Sequence, residues 1–175
     1  LPFDPYLEMD FHIAIEAGTY RRLVAAPISK GAILFGKMLG YIGIVVVQIF
    51  FVLGVGNLFF HVPLGRSPVG LFLTTLALAL AATALGMLIT ALGKTRGQIQ
   101  AVGTVLIFLL AGLGGSFVSL PREGPLAFIS QFTPHAHALE AYRLMMVENA
   151  GLVEVWPQIA LLASVGLVFF LLALW

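Results

Sequence analysis

The sequence predicts an all-α, polytopic transmembrane domain: four spans, a short cytoplasmic helix ahead of them, and a short external re-entrant helical pair before the last. Three observations carry this. Hydrophobic residues fill 60% of the 175 positions and charged residues only 10%, against about 45–50% and about 25% in soluble domains. Nine basic and eight acidic side chains leave much of the surface apolar, and that surface suits lipid. The chain also holds four long apolar stretches. About 20 helical residues cross a hydrocarbon core about 30 Å thick, and a lipid-embedded backbone must satisfy its own polar groups, which makes these stretches helices.

The first stretch runs over 38–60 and the second over 69–93, both free of charge; the third covers 99–118 and the fourth 159–175. The expected division is a cytoplasmic segment, 1–37, followed by a membrane domain, 38–175. Gly36 with Gly40, and Ala111 with Gly115, have the small-xxx-small spacing that lets helix backbones approach. A glycine-rich chain also produces such pairs by chance. Tyr6 to Glu16 alternates apolar and polar residues, a period-two strand pattern with no partner strand in an all-α chain.

Between the third and fourth spans, 121–156 mixes prolines with short apolar runs. Two brief helices over about 125–148, broken at Thr133-Pro134, are expected there. Each is too short to span, so they dip in and out from one face, where protein or water covers any non-helical backbone.

Basic residues in short loops set orientation. Arg21, Arg22, Lys30, Lys37, Lys94 and Arg96 fall on one side of the spans, against Arg66, Arg122 and Arg143 on the other. The expected topology therefore puts the N-terminal segment and the Lys94–Arg96 loop in the cytoplasm. The net charge of +1 does not suggest nucleic acid. Without cysteine, disulfides and thiolate metal sites are excluded. The opening Leu1-Pro2-Phe3-Asp4-Pro5 has neither the basic region nor the apolar core of a signal peptide, and the missing initiator Met suggests an upstream portion.

Candidate sites divide by chemistry. His135, His137 and Glu140 invite a metal reading, but positions i and i+2 of a helix point to different sides. Glu140 and Arg143 have the i, i+3 spacing of an ion pair. Such a pair near membrane depth is a functional candidate, or it holds the re-entrant turn at headgroup level. Gln48 is the strongly polar side chain in the middle of the first span, suited to lining a substrate path or to bonding across helices. Ser116 lacks a Gly-x-Ser-x-Gly setting and a base. No Gly-x-x-x-x-Gly-Lys-Ser/Thr occurs, so the chain is not expected to be catalytic or to hydrolyse ATP itself.

Glu16-Ala17-Gly18-Thr19-Tyr20-Arg21-Arg22-Leu23, followed by Ala26-Pro27-Ile28-Ser29-Lys30 and Leu34-Phe35-Gly36-Lys37, resembles the cytoplasmic loop of type-2 ATP-binding-cassette (ABC) exporter permeases. The resemblance continues, in order, through Ala91 to Arg96, Gly114 to Phe117 and Thr133 to Arg143. It implies a C-terminal permease part whose first two spans lie upstream. It also implies a multi-pass protein of the inner or plasma membrane, and pairing with a second permease copy as a homo- or heterodimer. Each half would dock a separate ATPase subunit, which holds ATP and Mg, and together they would drive efflux. The coupling loop would be Glu16 to Lys30, with Glu16, Gly18, Thr19, Arg21, Arg22, Leu23 and Pro27 as its candidate residues. The residues themselves fit that role: Thr19 is a good N-cap, Arg21 and Arg22 suit bidentate pairing with a partner's carboxylates, and Pro27 ends a helix. The plainer reading is that both arginines only obey the positive-inside rule. The alternative class is a secondary transporter or channel subunit without an ATPase; buried mid-span acids would favour it, and none occurs. A non-transporting membrane scaffold would leave the ordered loop signatures unexplained.

Overall fold

The computed structural model describes residues 30–117, 124–131 and 133–174. The coupling-loop candidates Glu16, Gly18, Thr19, Arg21, Arg22, Leu23 and Pro27, the 6–16 alternation, and Arg122 lie outside them. Among the described residues the structure is wholly helical: α1 (Lys30–Phe60), α2 (Pro68–Leu92), α3 (Arg96–Leu113), α4 (Pro125–Ser130), α5 (Pro134–Met146) and α6 (Leu152–Leu174). Three are long and apolar enough to span: Phe35–Phe60 of α1, α2 and α6. The apolar part of α3, Gly97–Leu113, is shorter.

The third stretch therefore ends before its expected limit of 118, and the cause is local. Gly114 caps α3 and Gly115 takes φ +84°, a left-handed conformation that glycine adopts without a Cβ penalty. The Gly115 N–H donates to the Gly112 carbonyl at 3.1 Å and the Ser116 N–H to that of Ala111 at 2.9 Å, the bond pair of a Schellman stop. Gly115, read as half of a helix-contact pair, is thus a helix terminator. At the other end of α3, the Thr95 hydroxyl accepts from the Gln98 N–H at 3.2 Å, satisfying one of the orphan donors of the first turn. The last span begins earlier than expected, at Leu152 rather than 159, and carries Glu154 in its first turn and Pro157 inside it.

The bundle is organised around α2. Its Ala77, Ala79, Ala81 and Ala84 are buried, and small side chains there let a neighbouring helix come close. That neighbour is α6: a Cβ on Gly166 would stand 3.0 Å from the Ala81 nitrogen and 3.1 Å from its Cα. Arg66, just ahead of α2, meets Glu154 in the first turn of α6. With contacts near the starts and at mid-length, α2 and α6 run parallel. Leu71, Ala138, Ala141, Met145, Val155, Ile159 and Leu162 form the core that α2, α5 and α6 share.

The other glycine pair also finds a different role. A Cβ on Gly36 or Gly40 would meet nothing within 4 Å, so neither mediates a close helix contact among the described residues. Helix α1 packs lightly on α2, in part through Phe50 and Phe72, whose ring centroids lie 6.1 Å apart. Val47, Phe51, Ile107, Phe108 and Leu171 are exposed, as lipid-facing side chains should be.

Candidate functional site at the charged end of the bundle

One end of the bundle gathers polar chemistry: the 61–67 connection, helices α4 and α5, and the start of α6. The short helices sit there for sequence reasons. Pro125 and Pro134 occupy the first turns of α4 and α5, where a missing N–H costs nothing. Thr133 caps α5, accepting from the Ala136 N–H at 3.3 Å while its hydroxyl donates to the Ser130 carbonyl at 2.8 Å. One side chain thereby joins the two helices.

Helix α5 lies across the bundle end and is fixed at both of its own ends. At its N-terminus it presses on the end of α3: a Cβ on Gly114 would be 2.5 Å from the His135 Cβ and 3.1 Å from the Ala136 nitrogen. At its C-terminus Met145 is wholly buried and takes the space left by two glycines before and in α2. A Cβ on Gly65 would fall 2.2 Å from the Met145 carbonyl oxygen, and one on Gly70 3.1 Å from the Met145 sulfur. Between these points the Tyr142 hydroxyl bonds Thr75 at 2.9 Å, and the Thr75 hydroxyl also bonds the Leu71 carbonyl at 2.8 Å. Burial raises the Tyr142 phenol above its usual range, and the Thr75 hydrogen bond partly offsets that.

The ionic groups form two clusters. Arg143 is bidentate to Glu140, Nε to Oε2 at 2.8 Å and Nη2 to Oε1 at 2.7 Å, and its Nη1 reaches Glu148 at 2.5 Å. The fork geometry of guanidinium suits this, and lysine would not reproduce it. The bonds to Glu140 and then Glu148 push the Arg143 pKa upward. Arg66 pairs with Glu154 at 3.4 Å, while the other Glu154 oxygen accepts from the Gly151 N–H at 2.8 Å, a carboxylate at a helix N-terminus where the dipole favours it. All five side chains are a third or more exposed, so these pairs set geometry more than stability.

Of the residues singled out by sequence, the structure brings Glu140 and Arg143 together. His137 turns its Nε2 to the Gln131 carbonyl at 2.7 Å, and His135 packs on α3, so the two imidazoles serve different contacts. Gln48 lies far along the chain from this end, exposed on α1 in a shallow groove with Gly40, Gly43, Ile44, Val47 and Phe51. Sequence reading did not find Glu148, the Arg66–Glu154 bridge or the Thr75–Tyr142 bond. The last two join residues 88 and 67 positions apart, beyond any local pattern. Gly151 and Glu154, three apart at a helix start, were the one legible signal.

Comparison with known proteins adds the following. The family model described as "ABC-2 family transporter protein" matches residues 14–175. ABC transporter G family member 20 of Dictyostelium discoideum is 28% identical over 160 residues, covering 89% of this chain and 21% of that protein. The inner membrane transport permease YhhJ of Escherichia coli K12 is 28% identical over 165 residues, covering 91% of this chain and 43% of its own. The chain therefore spans less than half the length of these relatives. No solved structure matches it.

Proposed function

The chain belongs to the ABC-2 family of transporter proteins, a membrane transport component, and from that premise we propose that it is the permease part of an ATP-driven exporter. A separate ATPase subunit would bind ATP and Mg, and its hydrolysis cycle would move substrate outward across the inner or plasma membrane. The observation that carries this is the family match over 14–175. A relative named as a transport permease, matching 91% of the chain, supports the same reading.

On this reading the segment before α1 is cytoplasmic and contains the coupling loop, with Glu16, Gly18, Thr19, Arg21, Arg22, Leu23 and Pro27 meeting the ATPase. The distribution of charge supports the orientation. Arg21, Arg22, Lys30, Lys37, Lys94 and Arg96 lie on the proposed cytoplasmic side against Arg66, Arg122 and Arg143 on the other, the asymmetry of the positive-inside rule. Two permease copies pair across the membrane. The Glu140–Arg143 pair holds the external helix α5 in shape. Gln48 faces either the substrate path or a hydrogen-bonding helix, since an unpaired amide in hydrocarbon is costly.

The test is affinity purification of the full-length protein from its native membrane. A stoichiometric soluble ATPase, lost in the double variant Arg21→Glu, Arg22→Glu, is the expected result. A protein that purifies alone, or with copies of itself only, would overturn the ATP-driven reading in favour of a secondary transporter or channel subunit.

A further inference from the structure

We infer that a water molecule is bound where α2, α5 and α6 meet, held by the Thr74 hydroxyl, the Gln158 amide oxygen and the Tyr142 phenol oxygen, and that it ties the three helices together. Two of these groups are orphans. Thr74 is fully buried, and neither its hydroxyl oxygen nor the buried Gln158 Oε1 has a hydrogen-bond partner among the described residues. A buried polar oxygen without a partner is costly, and native structures rarely leave one. Thr75 shows the alternative open to a helical threonine, since its hydroxyl donates to the Leu71 carbonyl one turn back at 2.8 Å.

The two orphans face one junction. Thr74 has Leu71 and Ala77 a turn away on either side along α2, and Gln158 has Val155 and Leu162 in the same relation along α6. All four of these neighbours belong to the core shared with α5, and residues three or four apart lie on one helix face. The orphans also stand at one level. Thr74 lies seven residues before Ala81, and Gln158 eight before Gly166. Ala81 and Gly166 are in close contact and the helices run parallel, so Thr74 and Gln158 differ in height by about 1.5 Å, one residue's rise.

Tyr142 supplies the third group, because the direction of its hydrogen bond is fixed. Thr75 has a single hydroxyl hydrogen, already given to Leu71, so in the 2.9 Å bond Tyr142 donates and Thr75 accepts. The Tyr142 oxygen keeps its lone pairs. A water accepting from Thr74 and donating to Gln158 and Tyr142 makes three bonds, the usual number for a buried water. Ala77, Ala138 and Ala141 contribute to this core, small side chains of the kind that leave room for one.

The sign of one substitution in the full-length protein is decisive. Thr74→Val keeps the shape and removes the hydroxyl. Removing an unpaired buried hydroxyl leaves stability unchanged or raises it, whereas removing one partner of a bound water strands the groups that remain. Thr74→Val and Gln158→Met should each lower the melting temperature in detergent by about 2–5 °C. Thr74→Ser should stay near the unaltered protein, and the double variant should melt no lower than the worse single one. X-ray radiolysis with mass spectrometry reads the water directly, since radicals formed from it oxidise the nearest reactive side chain. Tyr142 should be oxidised several-fold less in the double variant, with exposed Trp156 oxidised as before. A Thr74→Val protein that melts as high as the unaltered one or higher, additive shifts, or unchanged Tyr142 oxidation would each overturn the bound water.

Discussion

Gly166 of α6 sits directly on the backbone of Ala81 in α2, so close that a Cβ would lie 3.0 Å from the Ala81 nitrogen and 3.0 Å from Leu80 Cγ. Nowhere else among the described spans do two long helices meet at a glycine this tightly. In lipid no hydrophobic effect holds helices together, so association depends on contacts of this kind.

Enlarging Gly166 should therefore unseat α6. Gly166→Ala needs its neighbours to give by only a few tenths of an ångström, whereas Gly166→Leu should cost about 1–3 kcal/mol through overpacking. Gly86, whose Cβ would meet nothing within 4 Å, supplies the control. Thermal unfolding in detergent should rank Gly86→Ala near the unaltered protein, Gly166→Ala slightly lower and Gly166→Leu lowest. A Gly166→Leu protein as stable as the control would mean that α2 and α6 are not packed this way.

Gly65 is constrained twice over. Its φ is +74°, and its Cβ would fall 2.2 Å from the Met145 oxygen. Gly124 has φ +103° but open space around it. Both alanine variants meet backbone strain of order 1 kcal/mol, and Gly65→Ala must also displace α5. The expected loss is clearly larger at Gly65, read as accelerated proteolysis of the α5 region; equal losses would argue against the α5 docking.

The Thr75–Tyr142 bond ties α5 to α2. Tyr142→Phe should lose about 0.5–1.5 kcal/mol, the net contribution of one neutral hydrogen bond. Thr75 keeps its bond to the Leu71 carbonyl, which limits the loss. A double-mutant cycle with Thr75→Ser, which keeps the hydroxyl, and Thr75→Ala should find coupling to Tyr142 only in the alanine arm.

The Glu140–Arg143–Glu148 cluster is exposed, so stability should change by less than about 1 kcal/mol in Arg143→Ala. Transport is the more sensitive readout. If the pair holds α5 in its working shape, Glu140→Ala and Arg143→Ala each lower export, and the double variant is no worse than either single one. Strict additivity of the two losses would mean that the residues act separately.

His135 brings in pH. Burial against the end of α3 lowers its pKa below the usual imidazole value, and its buried Nδ1 has no hydrogen-bond partner among the described residues. The folded state thus prefers the neutral ring. Above about pH 6.5 both states are neutral and nothing changes. As pH falls through that value the unfolded chain takes up a proton first, so stability declines until the lower folded pKa is reached. His135→Gln should flatten this acid limb, measured as melting temperature from pH 7.5 to 5; an unchanged slope would assign it to other groups.

The sequence by itself determined what the chain is made to live in and roughly where it crosses. Charge-free runs of spanning length can only be helices in lipid, because the reason is local and applies residue by residue. The break at Thr133-Pro134 and the spacing of Glu140 and Arg143 were legible for the same reason: caps, prolines and i, i+3 neighbours lie within one or two turns. The coupling-loop candidates form an ordered set of motifs in the sequence, and their role belongs to the function proposed above. What only the tertiary structure decided was which of many glycines make contacts. Among the described residues, Gly36 and Gly40 have the right spacing but a Cβ on either would meet nothing within 4 Å, Gly115 stops a helix, and Gly166, in no such pair, carries the closest span-to-span approach at a glycine. Spacing says that a backbone is able to come near, but the partner is chosen by the parallel seating of α6 along the alanines of α2. That seating brings together residues far apart in the chain, Ala81 with Gly166 and Arg66 with Glu154, as the Thr75–Tyr142 bond does for α5 on α2.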